Sequence, residues 1–372
     1  MQVNQQERAY WLIWSQIPGL GAISLKRIYQ HFGSLQDAWN APIADFSAVE
    51  GLNNKFLSAI QQGRKQSINP QELLERHIQD NPLFWTPTDL EYPNLLREIP
   101  SPPPLLYYRG KVELPENQGI TPLIGIVGTR NPTDYGKRWT NKLVAALVQH
   151  GFGIVSGMAA GIDTVAHHSC LGAKGRTIAV LGTGVDTVYP YSNRKLYQQI
   201  EQHGLILSEY PTQTKPDRGN FPARNRIIAG LCRAVVIMEA PQRSGALITA
   251  HFANDFCRDV YVLPGSLDSP QSLGCLELLN RGAHIILSAE HLLEMLGTMP
   301  QLVPPLAPPK PLPNLTPELE CILKMVNHQA VSLDTIVHKA GLNTSQVLVA
   351  LSQLELMGLV SQLPGMRYCR VS

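Results

Sequence analysis

The chain has 372 residues and a formal net charge of +2, which is long enough for two or three domains with substantial cores. That near-neutrality excludes a protein that is basic throughout, so any nucleic-acid surface must come from local clustering of arginine and lysine. The six cysteines (Cys170, Cys232, Cys257, Cys275, Cys321, Cys369) form no Cys-x-x-Cys pair and lie mostly in apolar runs, a usage that argues against a zinc site and fits buried free thiols in a reducing compartment.

In chain order, the opening Met-Gln-Val-Asn-Gln-Gln-Glu lacks the basic start and apolar core of a signal peptide, and no apolar run approaches a membrane span. A cytoplasmic protein without membrane contact is expected. Residues 8–80 read as a small helical unit. Within it Ile17-Pro-Gly-Leu-Gly21 matches the turn of a helix-hairpin-helix, whose glycine amides can hold a DNA phosphate. A weaker copy starts at Val49-Glu-Gly-Leu-Asn53, where Asn53 replaces the second glycine. A tight helix-helix turn without DNA explains the same residues, because the flanks carry only Lys26, Arg27 and Lys55. Residues 86–110 are proline-rich and extended, a segment expected to lie along the next domain.

The α/β pattern begins at residues 124–127, a run too short and too β-branched for a helix that stops at Gly128. A second run, 152–155, stops at Ser156-Gly157. Between them Trp139, Leu143, Val144, Leu147 and Val148 recur at helical spacing, making a strand-helix-strand unit of the doubly wound kind. Ligands of that fold sit beyond the carboxyl ends of the strands, where Gly128, Thr129, Arg130, Ser156 and Gly157 fall. A helix opening near Ile162 aims its free amides at the same place, so the expected ligand is anionic, with Arg130 as its side-chain partner. Further strands at 178–181, 205–208, 234–238 and 260–263 alternate with helices at 193–203, 224–231, 246–257 and 273–281. The result is one domain with a sheet of six or more strands. Gly182-Thr-Gly184 is too short for a dinucleotide fingerprint, and no acidic residue ends the second strand to hold a ribose. No cofactor is expected.

Asp217-Arg-Gly-Asn-Phe-Pro-Ala-Arg-Asn-Arg226 gathers Arg218, Arg224, Asn225 and Arg226 around Phe221, in a loop that enters a helix. Arginine forks suit phosphate oxygens and a ring among them suits base stacking, the combination of a single-strand platform. The alternative is a capped helix start in which Phe221 packs inward and the arginines pair with carboxylates. After the next strand, Glu239-Ala-Pro-Gln-Arg-Ser-Gly-Ala246 adds Arg243 and another glycine turn at the same sheet edge.

Taken together, Ile126-Val-Gly-Thr-Arg130, Ser156-Gly-Met-Ala-Ala-Gly-Ile-Asp-Thr-Val-Ala-His167, Phe221-Pro-Ala-Arg-Asn-Arg-Ile-Ile-Ala-Gly230, Ser244-Gly-Ala-Leu-Ile-Thr-Ala250 with the preceding Glu239-Ala, and Leu263-Pro-Gly265 resemble the DNA-processing protein A (DprA, or Smf) family over most of residues 90–290. The resemblance implies an extended Rossmann-like domain that binds single-stranded DNA, forms a homodimer, and helps load the RecA recombinase on incoming strands during natural transformation. It also implies that Arg130, Arg218 and Phe221 line the DNA pocket, Arg218 standing where the family often has lysine. The implied architecture is a helical helix-hairpin-helix or SAM-like domain at 1–85, an extended Rossmann-like, mostly parallel α/β domain at 86–298, a proline-rich linker at 299–315 and a winged-helix domain at 316–372.

Two catalytic readings compete with plain binding. Asp163 and His167 are four apart on one helix, beside His168, which allows a metal or acid-base site; a carboxylate holding the helix start and a histidine in a polar contact explain them equally. The second is a nucleotide phosphoribohydrolase, whose family carries Pro-Gly-Gly-x-Gly-Thr-x-x-Glu. Here Pro241-Gln-Arg-Ser-Gly-Ala-Leu-Ile-Thr249 puts Ile248 and Thr249 near that glutamate's place, which removes the general acid-base residue. Neither a catalytic residue nor a metal is therefore expected. The apolar stretch 273–287 is the candidate dimer interface.

Residues 300–313 hold seven prolines and make a stiff linker. Beyond it, 317–327, 333–340 and 344–357 read as helices and 359–371 as a hairpin centred on Pro364-Gly365, a winged-helix pattern. Its third helix carries no lysine or arginine, so a protein-contact or regulatory module is favoured over duplex reading.

Overall fold

The computed structural model describes residues 5–65, 68–297, 317–326, 331–357, 359–363 and 366–370. The chain divides into two compact units, Met1–Pro304 and Pro305–Ser372.

In the first unit a nine-stranded sheet runs in the order β1-β2-β6-β5-β4-β3-β7-β8-β9. Its strands are β1 (Phe84–Trp85), β2 (Leu106–Gly110), β3 (Leu123–Val127), β4 (Gly153–Ser156), β5 (Thr177–Leu181), β6 (Leu205–Ser208), β7 (Ala234–Ile237), β8 (Asp259–Val262) and β9 (His284–Ile285). From β6 to β9 all neighbours are parallel, and β1 and β2 add an antiparallel edge. The proline-rich segment thus ends in a strand of the sheet, β2.

Every residue of β3 is buried, and alternation sends its side chains to opposite faces. Leu123 and Val127 join one core with Ile227 and Ile228, and Ile124 and Ile126 join the other with Leu143, Val144 and Leu147. Helices therefore cover both faces, the condition under which parallel strands are apolar throughout. The chain winds from β3 outward through β4, β5 and β6, then returns to the other side of β3 with β7. The switch point between β3 and β7 opens a crevice at their carboxyl ends, where ligands of such sheets bind.

The N-terminal helices, beginning with Gln5–Ser15 and Ala22–Phe32, pack around Trp11, Trp14, Leu25 and Ile28, a core that continues onto Ala179, Leu181 and Ile206 of the sheet. Gly19 in the intervening turn has φ +86°, a conformation glycine adopts without steric penalty. The basic flank of this turn is engaged by protein. Lys26 Nζ donates to the carbonyls of Arg97, Glu98 and Ile99 at 3.2, 3.1 and 2.7 Å, which caps the helix Asn94–Glu98. Arg27 Nη1 donates to Glu50 O at 3.0 Å. In the second copy of the turn, Asn53 Oδ1 accepts from the amides of Lys55 and Phe56 and so starts the helix Asn54–Lys65.

The second unit is a winged helix: Pro317–Met325, Leu333–Ala340 and Thr344–Leu356 with a three-stranded sheet in the order β10 (Val331–Ser332), β12 (Arg367–Arg370), β11 (Val360–Leu363). Asn343 and Gln346 form a reciprocal capping box at the start of the third helix. The proline linker and Pro364-Gly365 lie outside the described residues. Among the described residues Cys170, Cys232 and Cys275 are buried free thiols, Cys257 and Cys321 are exposed ones, and no helix is long and apolar enough to cross a membrane.

Candidate functional site

A cleft of about 620 Å³ opens at the switch point, its walls formed by the turn after β3, the start of the helix Asn220–Leu231 and the start of the helix Gly245–Asp255. The turn after β3 is held from β7. Thr129 N donates to Glu239 O at 2.7 Å, and Thr129 O accepts from Ile162 N at 3.1 Å. The Glu239 carboxylate accepts from Thr133 N at 2.9 Å and from the Thr133 hydroxyl, and Thr133 in turn caps the helix Asp134–Gln149 through Gly136 N. This lattice fixes the backbone on both sides of Arg130 and leaves its side chain exposed in the cleft wall.

Phe221 lies inside the first turn of its helix, not in a loop before it. Pro222 is compatible with that position, because the amide it lacks would have no partner in a first turn. The Phe221 ring is half-buried. Its centroid is 5.3 Å from that of Tyr189, with planes at 35°, and the Arg130 guanidinium sits 5.8 Å over its face, within cation–π range. Arg218, in the loop just before, is exposed and lines the cleft. Asn225 also lines it, while its Nδ2 donates to Gly245 O at 3.1 Å and ties the two helix starts together.

The remaining expected residues are placed differently. Ser156 is fully buried and its hydroxyl donates to Ile126 O at 2.7 Å. Gly157 N donates to Asp163 Oδ2 at 3.1 Å, as does Ala159 N at 3.3 Å. The amides of Gly157 and Ala159 are therefore occupied by the protein's own carboxylate, and neither Ser156 nor Gly157 lines the cleft. A Cβ on Gly157 would fall 2.5 Å from Arg224 Nη2 and 2.7 Å from Asp163 Oδ2, so this glycine admits the two charged groups. Arg224 reaches the cleft floor but is 4% exposed, with Nη1 donating to Gly157 O at 2.8 Å and to Val180 O. Burial pushes its pKa down to about 10, against the opposing pull of Asp163. Burial likewise raises the Asp163 carboxyl, opposed by Arg224 and the two amides. Arg226 turns away from the cleft onto Glu209. Arg243 is exposed in the turn beside Pro241 and Ser244 without forming part of the cleft wall. Among the described residues, Arg130, Arg218 and Arg243 have no carboxylate partner.

Tyr189 is not marked by the sequence; it stands 43% exposed in the cleft wall beside Phe221. A Tyr-Pro pair in a loop carries no spacing that would have flagged it. Ser244, Gly245 and Ala246 at the start of the helix Gly245–Asp255 also line the wall, with the Ser244 hydroxyl capping that helix through Ala246 N at 3.3 Å.

Asp163 is the one carboxylate among the residues lining the cleft. His167 is fully buried, with Nδ1 2.7 Å from Thr177 Oγ1. That hydroxyl donates to Ile154 O at 3.1 Å, so Nδ1 must be the donor. Burial pushes its pKa down to about 3, with His168 and Arg224 adding to the effect. No group of three potential metal ligands exists among the described residues. Asp163 and His167 thus serve a helix start and a core polar contact. Of the apolar stretch 273–287, Cys275, Leu278 and Ile286 are buried, while Ile285 and Leu287 are 40% and 66% exposed at the β9 edge.

The family model described as DNA recombination-mediator protein A matches residues 83–297, and the DprA winged helix domain matches 306–366. Protein Smf of Synechocystis sp. is 51% identical over 98% of this chain and 99% of its own length. DNA processing protein DprA of Bacillus subtilis is 43% identical over 55% of this chain and 68% of its own. Among solved structures, DNA processing protein A from Streptococcus pneumoniae superposes with a TM-score of 0.66 at 35% identity, covering 79% of this chain and 98% of that one. DNA processing protein A from Helicobacter pylori, whose structure addresses its single-stranded DNA binding mode, gives 0.52 at 35% identity over 57% and 95%.

Proposed function

The chain belongs to the DNA recombination-mediator protein A (DprA/Smf) family, and we propose that its switch-point cleft binds single-stranded DNA. In this reading the protein is cytoplasmic, shields incoming strands during natural transformation and hands them to the RecA recombinase. The observation that carries the binding role is the meeting of unpaired guanidinium groups with a half-exposed ring: Arg130 over Phe221, with Arg218 beside them. Guanidinium forks take phosphate oxygens and the ring takes a base face, which together favour a flexible single strand over a duplex whose bases are already stacked. Family membership and the printed subject of the Helicobacter pylori structure support the same ligand.

A nucleotide hydrolase using the cleft is the competing reading. It lacks support because Asp163, the carboxylate in the wall, already accepts two amides and faces Arg224. The protein acts as a homodimer in our account, through the β9 edge where Ile285 and Leu287 stand exposed; an apolar pair on an unpaired strand edge favours association. The winged helix is assigned to protein contact, its third helix showing Val349 59% exposed and carrying no lysine or arginine.

A gel-shift comparison of single-stranded with duplex DNA tests the binding role, with preference for the single strand expected. Incubation with nucleoside monophosphates separates the alternatives, since only a hydrolase releases free base. Light scattering at micromolar concentration tests the dimer, and a purely monomeric protein would remove it.

A further inference from the structure

The loop between β5 and the helix Arg194–His203 carries two exposed aromatic rings, Tyr189 at 43% in the cleft wall and Tyr191 at 71% outside it. Among the described residues these are the two aromatic side chains that stand exposed. The loop that presents them is firmly anchored. Asn193, 6% exposed, donates from Nδ2 to Met158 O at 2.9 Å and to Thr164 Oγ1 at 2.8 Å. Thr183 Oγ1 donates to Thr187 O at 2.7 Å, and the buried Tyr197 hydroxyl donates to Val185 O.

The tip is cationic as well as aromatic. Arg194 Nη1 donates to the Tyr191 hydroxyl at 3.0 Å, and its guanidinium lies 5.9 Å over the same ring. Lys195 is exposed next to it. Tyr189 packs against Phe221 on one side and is joined through Pro190 to Tyr191 on the other, so the rings lead outward from the cleft.

We infer that this loop is a second stacking platform, on which Tyr191 takes a base of the strand after it leaves the cleft and Arg194 and Lys195 take the adjoining phosphates. The inference rests on the single-strand reading of the cleft and extends it: the bound segment is longer than the cleft alone can hold. A pre-anchored loop loses little freedom on binding, which makes each contact count more fully.

Strand length separates the two readings. Affinities of wild type, Tyr191→Ala, Tyr191→Phe, Arg194→Ala and Phe221→Ala are compared on oligothymidylates of about 4 and about 16 nucleotides, the span of site sizes for such platforms. Tyr191→Ala weakens binding of the long strand by about fivefold to a hundredfold, the effect of one lost base–aromatic stack, and leaves the short strand unchanged. Tyr191→Phe keeps the ring and restores long-strand affinity, while Phe221→Ala weakens both lengths. Wild-type affinity of Tyr191→Ala for the long strand overturns the platform and leaves the cleft reading intact. A wild-type protein that binds neither strand overturns both. Because Tyr191 is exposed, an unchanged melting temperature in Tyr191→Ala identifies a loss of binding as a loss of contact.

Discussion

Gly182 is the seat of Phe221. A Cβ at Gly182 would lie 2.8 Å from Phe221 Cδ1 and 3.2 Å from Cε1, closer than the ring can tolerate without moving. Gly182 thus has a role that a nucleotide fingerprint would not give it: it leaves room for the Phe221 ring at the end of β5. Gly182→Ala should displace the ring and lower single-strand affinity by about tenfold, within the range of one lost stack. Because the ring has cleft space to move into, the melting temperature should fall only slightly. A variant with unchanged affinity would separate the seat from the binding.

Phe221 itself is half-buried, which divides its roles. Phe221→Ala should cost about 1 to 3 kcal/mol of binding and less stability than the roughly 3 to 5 kcal/mol of a fully buried phenylalanine. Affinity at low temperature together with thermal melting checks both halves. A protein that melts many degrees early yet binds normally when folded would make the ring purely structural.

The arginines should separate by partner. Arg218 lines the cleft without a carboxylate neighbour among the described residues, whereas Arg226 is paired with Glu209. Arg218→Ala should make the dependence of log K on log salt shallower by about 0.7, the release of one phosphate's counterion from a single strand. Arg226→Ala should leave that slope unchanged and lower stability, because it strands a partly buried carboxylate. Equal slopes for the two variants would contradict the assignment.

The strands are legible in the sequence because short, apolar, β-branched runs have few alternatives, and β3 to β8 lie where those runs are. Arg224 and Arg226 were not separable by the same means. Both are arginines in one motif, but two residues along a helix is a turn of roughly 200°, which sends Arg224 to the floor over Val180 O and Arg226 to Glu209. The start of that helix was misjudged because Pro222 reads as a breaker except in a first turn. Asp163 shows a third limit. The sequence points to an anionic ligand near Gly157, whereas in the fold the Gly157 amide is taken by the side chain of Asp163.

The Asp163–Arg224 relationship should be felt as stability. Removing one partner leaves the other buried beside Gly157, so Asp163→Ala or Arg224→Ala should each cost about 3 to 5 kcal/mol. The double variant should cost less than the sum of the two. Urea denaturation of the three proteins measures the coupling, and strict additivity would show that the groups act independently.

His167 predicts an acid limit. Its native pKa is pushed from 6.5 down to about 3, so below about pH 6.5 the unfolded chain takes a proton on this ring that the native state refuses. Stability is therefore lost as pH falls through the window from about 6.5 to about 3, at up to about 1.4 kcal/mol per pH unit from this group. His167→Asn can keep the donor to Thr177 but has nothing to titrate, so its stability should fall less steeply than that of wild type between about pH 6 and pH 4. Parallel profiles would place the acid sensitivity elsewhere.

The central claim, that the switch-point cleft holds a single strand through Arg130, is tested most directly by fluorescence anisotropy of a labelled oligothymidylate with wild type and Arg130→Ala across a range of salt. The account predicts a linear fall of log K with log salt for wild type. For Arg130→Ala it predicts weaker binding and a slope shallower by about 0.7. Salt-independent binding by wild type, or an Arg130→Ala protein with wild-type affinity and slope, would contradict it.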